Sequence, residues 1–325
     1  MPENGGKLEN LTLGYTTFGT LNKDKSNVIW ICHALTANSD PMQWWPSLVG
    51  ENKLYDPSKH FIVCVNIPGS CYGSTGPLSI NPETGEPYYH NFPFITIRDL
   101  AATHELVRKH LGIEKIHTVT GGSMGGMQAL EWSIMNPDVI DHMVLIGSNA
   151  KNSAWGVAFH ESQRMAVEAD VTWKENSAQA GMNGMKVARS IALLSYRNYK
   201  TYEERQTDND ERLRNFSASS YQRYQGEKLA ARFNAFSYYL LCDTMDSHHV
   251  GRGRGGVENA LKKVKAKTLC IGIDSDNLFP IEESKLLAKH IPNGHYKEIS
   301  SLLGHDGFLT EHEQLTELVH KFWKQ

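Results

Sequence analysis

The sequence predicts an α/β fold in which a mostly parallel sheet carries helices on both faces. Five short runs rich in β-branched residues have the continuous apolar character of buried strands: VIWIC (28–32), FIVCVN (61–66), IHTVTGG (116–122), HMVLIGS (142–148) and KTLCIGI (267–273). Residues 97–113, between the second and third runs, instead repeat their apolar side chains at helical spacing. Strands that alternate with helices are typical of a parallel sheet.

A long helical segment interrupts this series. Residues 154–255 show helical periodicity and no convincing strand, and the strand pattern resumes at residue 267. We therefore predict a core domain formed by residues 1–153 and 256–325, with residues 154–255 inserted into it as a helical lid. Large apolar side chains along the inserted helices predict packing within the lid or a contact with a second copy of the chain.

Charge and composition exclude several classes of protein. The 33 basic and 36 acidic residues are interspersed and give a formal net charge of -3, so no basic field favours nucleic acid or an acidic membrane. The first residues, MPENGGKLENLTLGY, lack the basic and apolar parts of a signal peptide, and no apolar run is long enough to span a membrane. These features predict a soluble, cytoplasmic protein whose partners are small molecules.

One serine lies between two pairs of glycines, in VTGGSMGGMQALEW (119–132). Gly121, Ser123 and Gly125 give the spacing G-x-S-x-G, directly after a predicted strand and before a predicted helix. A nucleophile elbow requires this setting, in which small neighbours let strand and helix approach closely. The alternative is a tightly packed or phosphate-binding glycine turn. The position favours Ser123 as a nucleophile, with the backbone N–H of Met124 as an oxyanion donor.

An acid and a histidine follow the serine in the chain order expected for such an elbow. GIDSDNLFP (272–280) begins at the end of a predicted strand, and LLGHDGF (302–308) follows another short strand, HYKEIS. His305 is the predicted general base. Either Asp276 or Asp274 would orient its imidazole, and their spacing alone does not decide between them.

A second oxyanion donor is expected from the loop after an early strand. CHALTAN (32–38) follows the first predicted strand, so the backbone N–H of Leu35 or of Thr36 is the candidate. The side chain of His33 is expected to support this loop.

Several segments together resemble the homoserine O-acetyltransferases of the α/β-hydrolase fold. They are CHALTANSD (32–40), NIPGSCYGSTGPLSINPETGEPY (66–88), FPFITIRD (92–99), GGSMGGMQALEW (121–132), DSDNLFP (274–280) and GHDGF (304–308). The resemblance extends over nearly the whole chain. The SCYGSTGP block distinguishes it from a general esterase much better than G-x-S-x-G does.

The resemblance assigns roles to individual residues. The nucleophile, acid and base positions fall on Ser123, Asp276 and His305. For the oxyanion donors we keep the positional assignment, Met124 with Leu35 as the preferred residue of the loop. In the helix KVARSIALLSYR (186–197), Arg189 matches the residue that holds the substrate carboxylate, and Tyr196 lies two turns further along. Asp306 matches the residue that receives the substrate ammonium. Two structural alternatives compete with these roles: Arg189 could pair with a lid acid such as Glu168, and Asp306 could cap the next helix.

The reaction implied by the resemblance is acetyl transfer from acetyl-CoA to the side-chain hydroxyl of L-homoserine, a step of methionine biosynthesis. It would proceed by a ping-pong mechanism through an acetyl-serine intermediate, without a metal or a bound cofactor. A homodimer formed through the lid helices is implied as well. The alternatives are a succinyl donor, serine as acceptor, an esterase or thioesterase that uses water, and a scaffold without catalysis. The segment GRGRGG (251–256) would bind CoA phosphates or form a flexible exit from the lid.

Overall fold

The computed structural model describes residues 3–4 and 6–325, and a seven-stranded sheet forms the centre of this part of the chain. Its strands are β1 (Tyr15–Phe18), β2 (Val28–Ile31), β3 (Phe61–Val65), β4 (Ile116–Gly122), β5 (Ile140–Ile146), β6 (Lys267–Ile273) and β7 (Gly294–Ile299). They lie in the order β1-β3-β2-β4-β5-β6-β7. All neighbouring pairs are parallel except β1, which runs antiparallel to β3. The predicted α/β class is confirmed.

Helices cover both faces of the sheet. They are α1 (Pro41–Trp44), α2 (Ile97–His110), α3 (Met124–Met135), α4 (Ala154–Glu168), α5 (Met182–Tyr196), α6 (Tyr199–Gln206), α7 (Ser217–Ala230), α8 (Ala235–Asp246), α9 (Val257–Leu261), α10 (Ile281–His290), α11 (Gly307–Thr310) and α12 (His312–Trp323). Successive strand side chains point to opposite faces, so Val28 and Trp30 pack with α2 and α3, while Ile29 and Ile31 share a second core with α12. The sheet is therefore buried on both sides.

Along the chain, helices α4 to α8 are inserted between β5 and β6, two strands that are neighbours in the sheet. Since β5 and β6 pair directly, the chain leaves the sheet after β5 and returns beside it. A third apolar cluster joins these helices to the core: Met185 and Phe233 of the inserted segment share it with Leu35, Ile67 and Met124. The inserted helices therefore pack beside the residue that follows Ser123.

The apolar runs do not predict β1. Its four residues, YTTF, alternate between exposed and half-buried and lie at the edge of the sheet, where burial demands no continuous apolar run. The ends of the other strands agree with the predicted runs within a few residues.

Two further features concern the described residues only. The five cysteines are free thiols, and four of them are buried. No helix in the described part of the chain is both long enough and apolar enough to cross a membrane.

Candidate active site

Ser123 occupies the single position between β4 and α3. Its φ of 57° and ψ of -128° are unfavourable for a residue with a side chain. The surroundings hold it there, since its N–H donates to the Ile146 carbonyl at 3.0 Å and its own carbonyl accepts from Ser148 Oγ at 3.0 Å. Strain that neighbouring contacts enforce is common at functional positions, and this geometry is that of a nucleophile elbow.

The four glycines around Ser123 each face an atom that leaves no room for a side chain. A Cβ on Gly121 would collide with the backbone of Gly125, and a Cβ on Gly125 would collide with the Cys32 carbonyl. A Cβ on Gly122 would lie 2.5 Å from the Phe308 ring, and a Cβ on Gly126 would lie 2.6 Å from Ser148 Cβ. The close approach of α3 to β4 and to the end of β2 thus requires glycine. The sequence pattern predicted this crowding from the motif alone.

His305 and Asp276 form a buried hydrogen-bonded pair. His305 Nδ1 lies 2.6 Å from Asp276 Oδ2, and both side chains are almost completely inaccessible to solvent. The other carboxylate oxygen, Oδ1, accepts from the backbone N–H groups of Leu278 and Phe279, both at 2.8 Å. Asp276 is therefore fixed as a hydrogen-bond acceptor for the imidazole.

Asp274, the other aspartate of the DSDN segment, serves a different contact. Its carboxylate accepts from Ser300 Oγ at 2.7 Å and from the Ser301 N–H at 3.1 Å, and it is exposed. It stabilises the turn after β7. Of the two aspartates that the spacing left open, the structure places Asp276 against His305.

The environment of His305 suits a general base. Burial alone would lower its pKa, but the negative charge of Asp276 and the hydrogen bond to it outweigh burial, and the pKa is raised above the ordinary 6.5. Nε2 is buried and has no hydrogen-bond partner among the described residues. Ser123 and His305 line the same cavity, and no hydrogen bond joins their side chains. A free Nε2 can accept a proton there.

The two predicted oxyanion donors belong to different elements. Met124 is the first residue of α3, so its N–H has no acceptor one turn earlier within the helix. Leu35 lies in the loop after β2, and neither its N–H nor that of Thr36 donates a hydrogen bond to another described residue. Leu35 and Thr36 also line the cavity with Ser123.

The imidazole of His33 supports the Leu35 peptide directly. Its Nε2 accepts from the Ile67 N–H at 3.2 Å, so Nδ1 carries the proton and donates to the Ala34 carbonyl at 2.9 Å. That carbonyl also accepts from the Ala37 N–H at 3.0 Å and shares a peptide group with the Leu35 N–H. Burial lowers the pKa of His33 to about 4, which keeps the ring neutral. The imidazole therefore fixes the plane of this peptide.

A second buried network joins the two donor segments, and sequence reasoning missed it. The Gln128 side-chain amide donates to the carbonyls of His33 and Met124, both at 3.1 Å, and accepts from His104 Nε2 at 2.9 Å. Trp30 Nε1 donates to the other nitrogen of that imidazole at 3.2 Å. The available signal was the position of His104 on the apolar face of α2, where a buried histidine requires partners.

A cavity of about 540 Å³ opens onto Ser123 and His305. The core contributes the loop at residues 34–38 together with Asp306 and Phe308, and the inserted helices contribute Arg189, Tyr196, Lys228 and Arg232. The three residues assigned to the substrate by the resemblance therefore share one cavity with the candidate nucleophile. Cationic side chains outnumber acidic ones in its lining.

Arg189 carries no ionic partner among the described residues. Its guanidinium lies 5.4 Å from the centre of the Tyr196 ring, and its Nε is buried without a hydrogen-bond acceptor. Glu168, the lid acid that could have paired with it, accepts instead from Tyr239 at 2.6 Å. An unpaired, partly desolvated guanidinium can bind a carboxylate.

Asp306 forms an ion pair with Arg197, which follows the last residue of α5. This partner was not anticipated. The carboxylate makes no hydrogen bond that caps α11, so the helix-cap alternative does not hold. An incoming ammonium group would share Asp306 with Arg197.

Both arginines of the GRGRGG segment are ion-paired. Arg252 pairs with Glu3 at 2.9 Å and Arg254 pairs with Glu131. Neither arginine lines the cavity, which removes them as a site for CoA phosphates there. Among the described residues, no group of His, Cys, Asp and Glu side chains could hold a metal ion.

Comparison with known proteins gives similarity over the full length. A family model for the alpha/beta hydrolase fold matches residues 27–312. The homoserine O-acetyltransferase of Cyclobacterium marinum is 51% identical over 321 residues, which are 99% of this chain and 92% of that protein. The solved homoserine O-acetyltransferase from Bacillus anthracis has a TM-score of 0.92 at 26% identity, covering 100% of this chain and 95% of that one. An acetylester hydrolase from Corynebacterium glutamicum has a TM-score of 0.88 at 25% identity, covering 100% and 93%.

Proposed function

Since the chain belongs to the homoserine O-acetyltransferase family of the α/β-hydrolase fold, we propose that it transfers an acetyl group from acetyl-CoA to the side-chain hydroxyl of L-homoserine, in methionine biosynthesis. One observation carries the proposal. The strained Ser123 and His305, which is paired with Asp276, line a cavity that also holds the unpaired Arg189. Hydrolysis of simple esters does not require an unpaired arginine that can bind a substrate carboxylate.

The first half-reaction acylates the enzyme. His305 Nε2 takes the proton of Ser123 as Oγ attacks the thioester carbonyl, and Asp276 stabilises the imidazolium that forms. The N–H groups of Met124 and Leu35 donate to the oxyanion of the tetrahedral intermediate. The C–S bond then breaks, the thiol leaves with the proton from His305, and the acetyl group remains on Ser123.

The second half-reaction returns the serine. Arg189 holds the homoserine carboxylate, Tyr196 packs against that guanidinium, and Asp306 accepts hydrogen bonds from the ammonium group. His305 takes the proton of the side-chain hydroxyl as its oxygen attacks the acetyl-serine. Collapse of the intermediate releases O-acetylhomoserine and reprotonates Ser123.

Transfer must compete with hydrolysis, because water could attack the same acetyl-serine. The inserted helices line one side of the cavity, and they would exclude water while holding the alcohol at a high effective concentration. The second candidate function is therefore an acetyl ester hydrolase, which the structural likeness to the Corynebacterium enzyme favours. The acceptor distinguishes the two functions.

We also propose a homodimer formed through the inserted segment. Most of the exposed large apolar side chains among the described residues lie on it, including Val187 (54%), Leu194 (56%), Tyr199 (76%), Leu213 (90%), Phe216 (45%) and Tyr224 (59%). Exposed apolar groups concentrated in one segment are typical of a surface that a partner covers.

The test of the function is thiol release from acetyl-CoA by the purified protein with homoserine, with serine and with no acceptor, beside the Ser123→Ala variant. We expect release that requires both homoserine and Ser123, with O-acetylhomoserine as the product. Equal release without an acceptor would identify a thioesterase instead. A parallel reaction with succinyl-CoA tests the acyl group, and faster release from it would contradict the acetyl assignment.

A further inference from the structure

Two cations of the inserted segment line the outer part of the catalytic cavity. Lys228 lies in the last turn of α7 and Arg232 follows four residues later, just beyond the end of that helix. Both residues are exposed, whereas Ser123 and His305 are only 7% and 3% exposed. The cavity therefore extends from a buried nucleophile to a cationic rim.

The positive charge of this rim is not compensated. Neither Lys228 nor Arg232 forms an ion pair with any described residue. Asp306, the acidic side chain in the cavity lining, is already paired with Arg197. An anionic group at the rim would thus meet two free cations and no competing carboxylate.

Arg232 is held in place by hydrogen bonds within the protein. Its Nη1 donates to the Tyr72 hydroxyl at 2.6 Å and to the Thr36 carbonyl at 2.5 Å. Thr36 follows Leu35, the candidate oxyanion donor, in the loop at residues 34–38, which we call the oxyanion loop. The guanidinium therefore links the inserted segment to this loop by hydrogen bonds. A fixed guanidinium loses little freedom when it binds an anion.

We infer that Lys228 and Arg232 form the subsite for the phosphate groups of the acyl donor. The inference rests on the proposed use of a coenzyme A thioester. When the thioester carbonyl lies at Ser123, the coenzyme A portion of the donor extends outward through the cavity, and its phosphates reach Lys228 and Arg232 at the rim. Arginine and lysine together suit phosphate, the first through its planar set of donors and the second as a point charge.

The two residues have separable tasks. Lys228 contacts the donor phosphates alone, since it makes no hydrogen bond with the oxyanion loop. Arg232 binds the phosphates as well. It is also a positioning residue, because its guanidinium donates to the Thr36 carbonyl in the loop that carries Leu35. Lys228 is therefore the cleaner probe of the subsite.

The experiment compares acetyl-CoA with S-acetylpantetheine, which has the same thioester and no phosphate, in homoserine acetylation. Lys228→Gln should lower kcat/KM for acetyl-CoA about tenfold, mostly through KM, because a charge-assisted hydrogen bond is lost. It should leave kcat/KM for S-acetylpantetheine unchanged within about twofold, the scale of exposed-charge effects elsewhere on the surface. Lys262→Gln removes an exposed lysine outside the cavity and should leave both donors unaffected.

Arg232→Ala should lower kcat with both donors, because the oxyanion loop loses its anchor, and should raise KM for acetyl-CoA alone. Equal losses with the two donors in Lys228→Gln, or an unchanged value for acetyl-CoA, would overturn the inference. A wild-type enzyme that acetylates homoserine without preferring acetyl-CoA would overturn it too and leave the proposed function standing. A wild-type enzyme that acetylates homoserine from neither donor would overturn both.

Discussion

At the scale of single residues, hydrogen bonds from neighbouring groups fix the backbone of Ser123 and of Leu35, the predicted oxyanion donor. The positive φ of Ser123 persists because Ile146 and Ser148 bind its peptide groups on both sides. The Leu35 peptide is held in the same way by the imidazole of His33. In the proposed mechanism these supports do not contact the substrate, and they position the groups that would.

His33 provides a test of this support. His33→Ala should lower kcat about tenfold to a hundredfold while KM for homoserine stays constant, because a misaligned oxyanion donor weakens only transition-state binding. His33→Asn, whose side-chain N–H can still donate toward the Ala34 carbonyl, should recover part of the loss. Steady-state kinetics of both variants, with circular dichroism to verify folding, decide the point. A rise in KM at constant kcat would contradict the assigned role.

The pH dependence of the reaction reports on His305 and Asp276. The base must be neutral to accept a proton, and its pKa is raised, so kcat/KM should fall below a pH that lies above the ordinary 6.5 of an imidazole. In Asp276→Asn the charge that raises this pKa is lost while burial remains, so the acid limb should move to lower pH. The plateau should fall roughly a thousandfold or more. An unshifted limb in this variant would show that another group controls it.

At the scale of elements, most of the sheet could be predicted because buried parallel strands require continuous apolar runs. β2 and β6 illustrate this, since every position of β2 and all but the first of β6 are buried. β1 could not be predicted, because a half-exposed edge strand leaves no such run. The choice between Asp274 and Asp276 needed the turn after β6, in which two backbone N–H groups fix Asp276 toward His305.

Arg189, on helix α5, provides a test of how the acceptor homoserine binds. Arg189→Ala should raise KM for homoserine at least tenfold, because a charge-assisted contact with the carboxylate is removed. The rate at which acetyl-CoA acetylates the enzyme should not change, since the thioester carries no group at that position. Stopped-flow measurement of the first thiol release separates the two effects. Slower acylation with an unchanged homoserine KM would place Arg189 in the donor site.

At the scale of the whole molecule, the cavity is a joint product of the core and the insertion. Contacts between them join residues that are far apart in the chain, such as Arg197 with Asp306 and Arg232 with Thr36. No local pattern marks such pairs. The motifs could therefore predict the fold, the family and several residues that line one cavity with Ser123, while the ionic partner of Asp306 and the cationic rim required the structure.

The exposed apolar side chains of the insertion make a prediction about assembly. Wild-type protein should sediment as a dimer, and Leu194→Glu should shift it toward the monomer because a charge is placed in an apolar contact. Leu106→Glu is the matched control, since Leu106 is about as exposed as Leu194 but lies on α2, outside the inserted segment. Analytical ultracentrifugation gives the masses. A wild-type monomer at micromolar concentration, or equal effects of the two substitutions, would contradict this interface.

We propose that the acetyl group resides on Ser123 after it leaves the donor and before it reaches the acceptor. Intact-protein mass spectrometry after mixing with acetyl-CoA alone tests it most directly, with peptide mapping to locate the modification. We expect one added acetyl group on Ser123 that is absent in Ser123→Ala. It should disappear when homoserine is added, while O-acetylhomoserine forms. Turnover with homoserine in the absence of any acetyl-enzyme, or an acetyl group found on another residue, would contradict it.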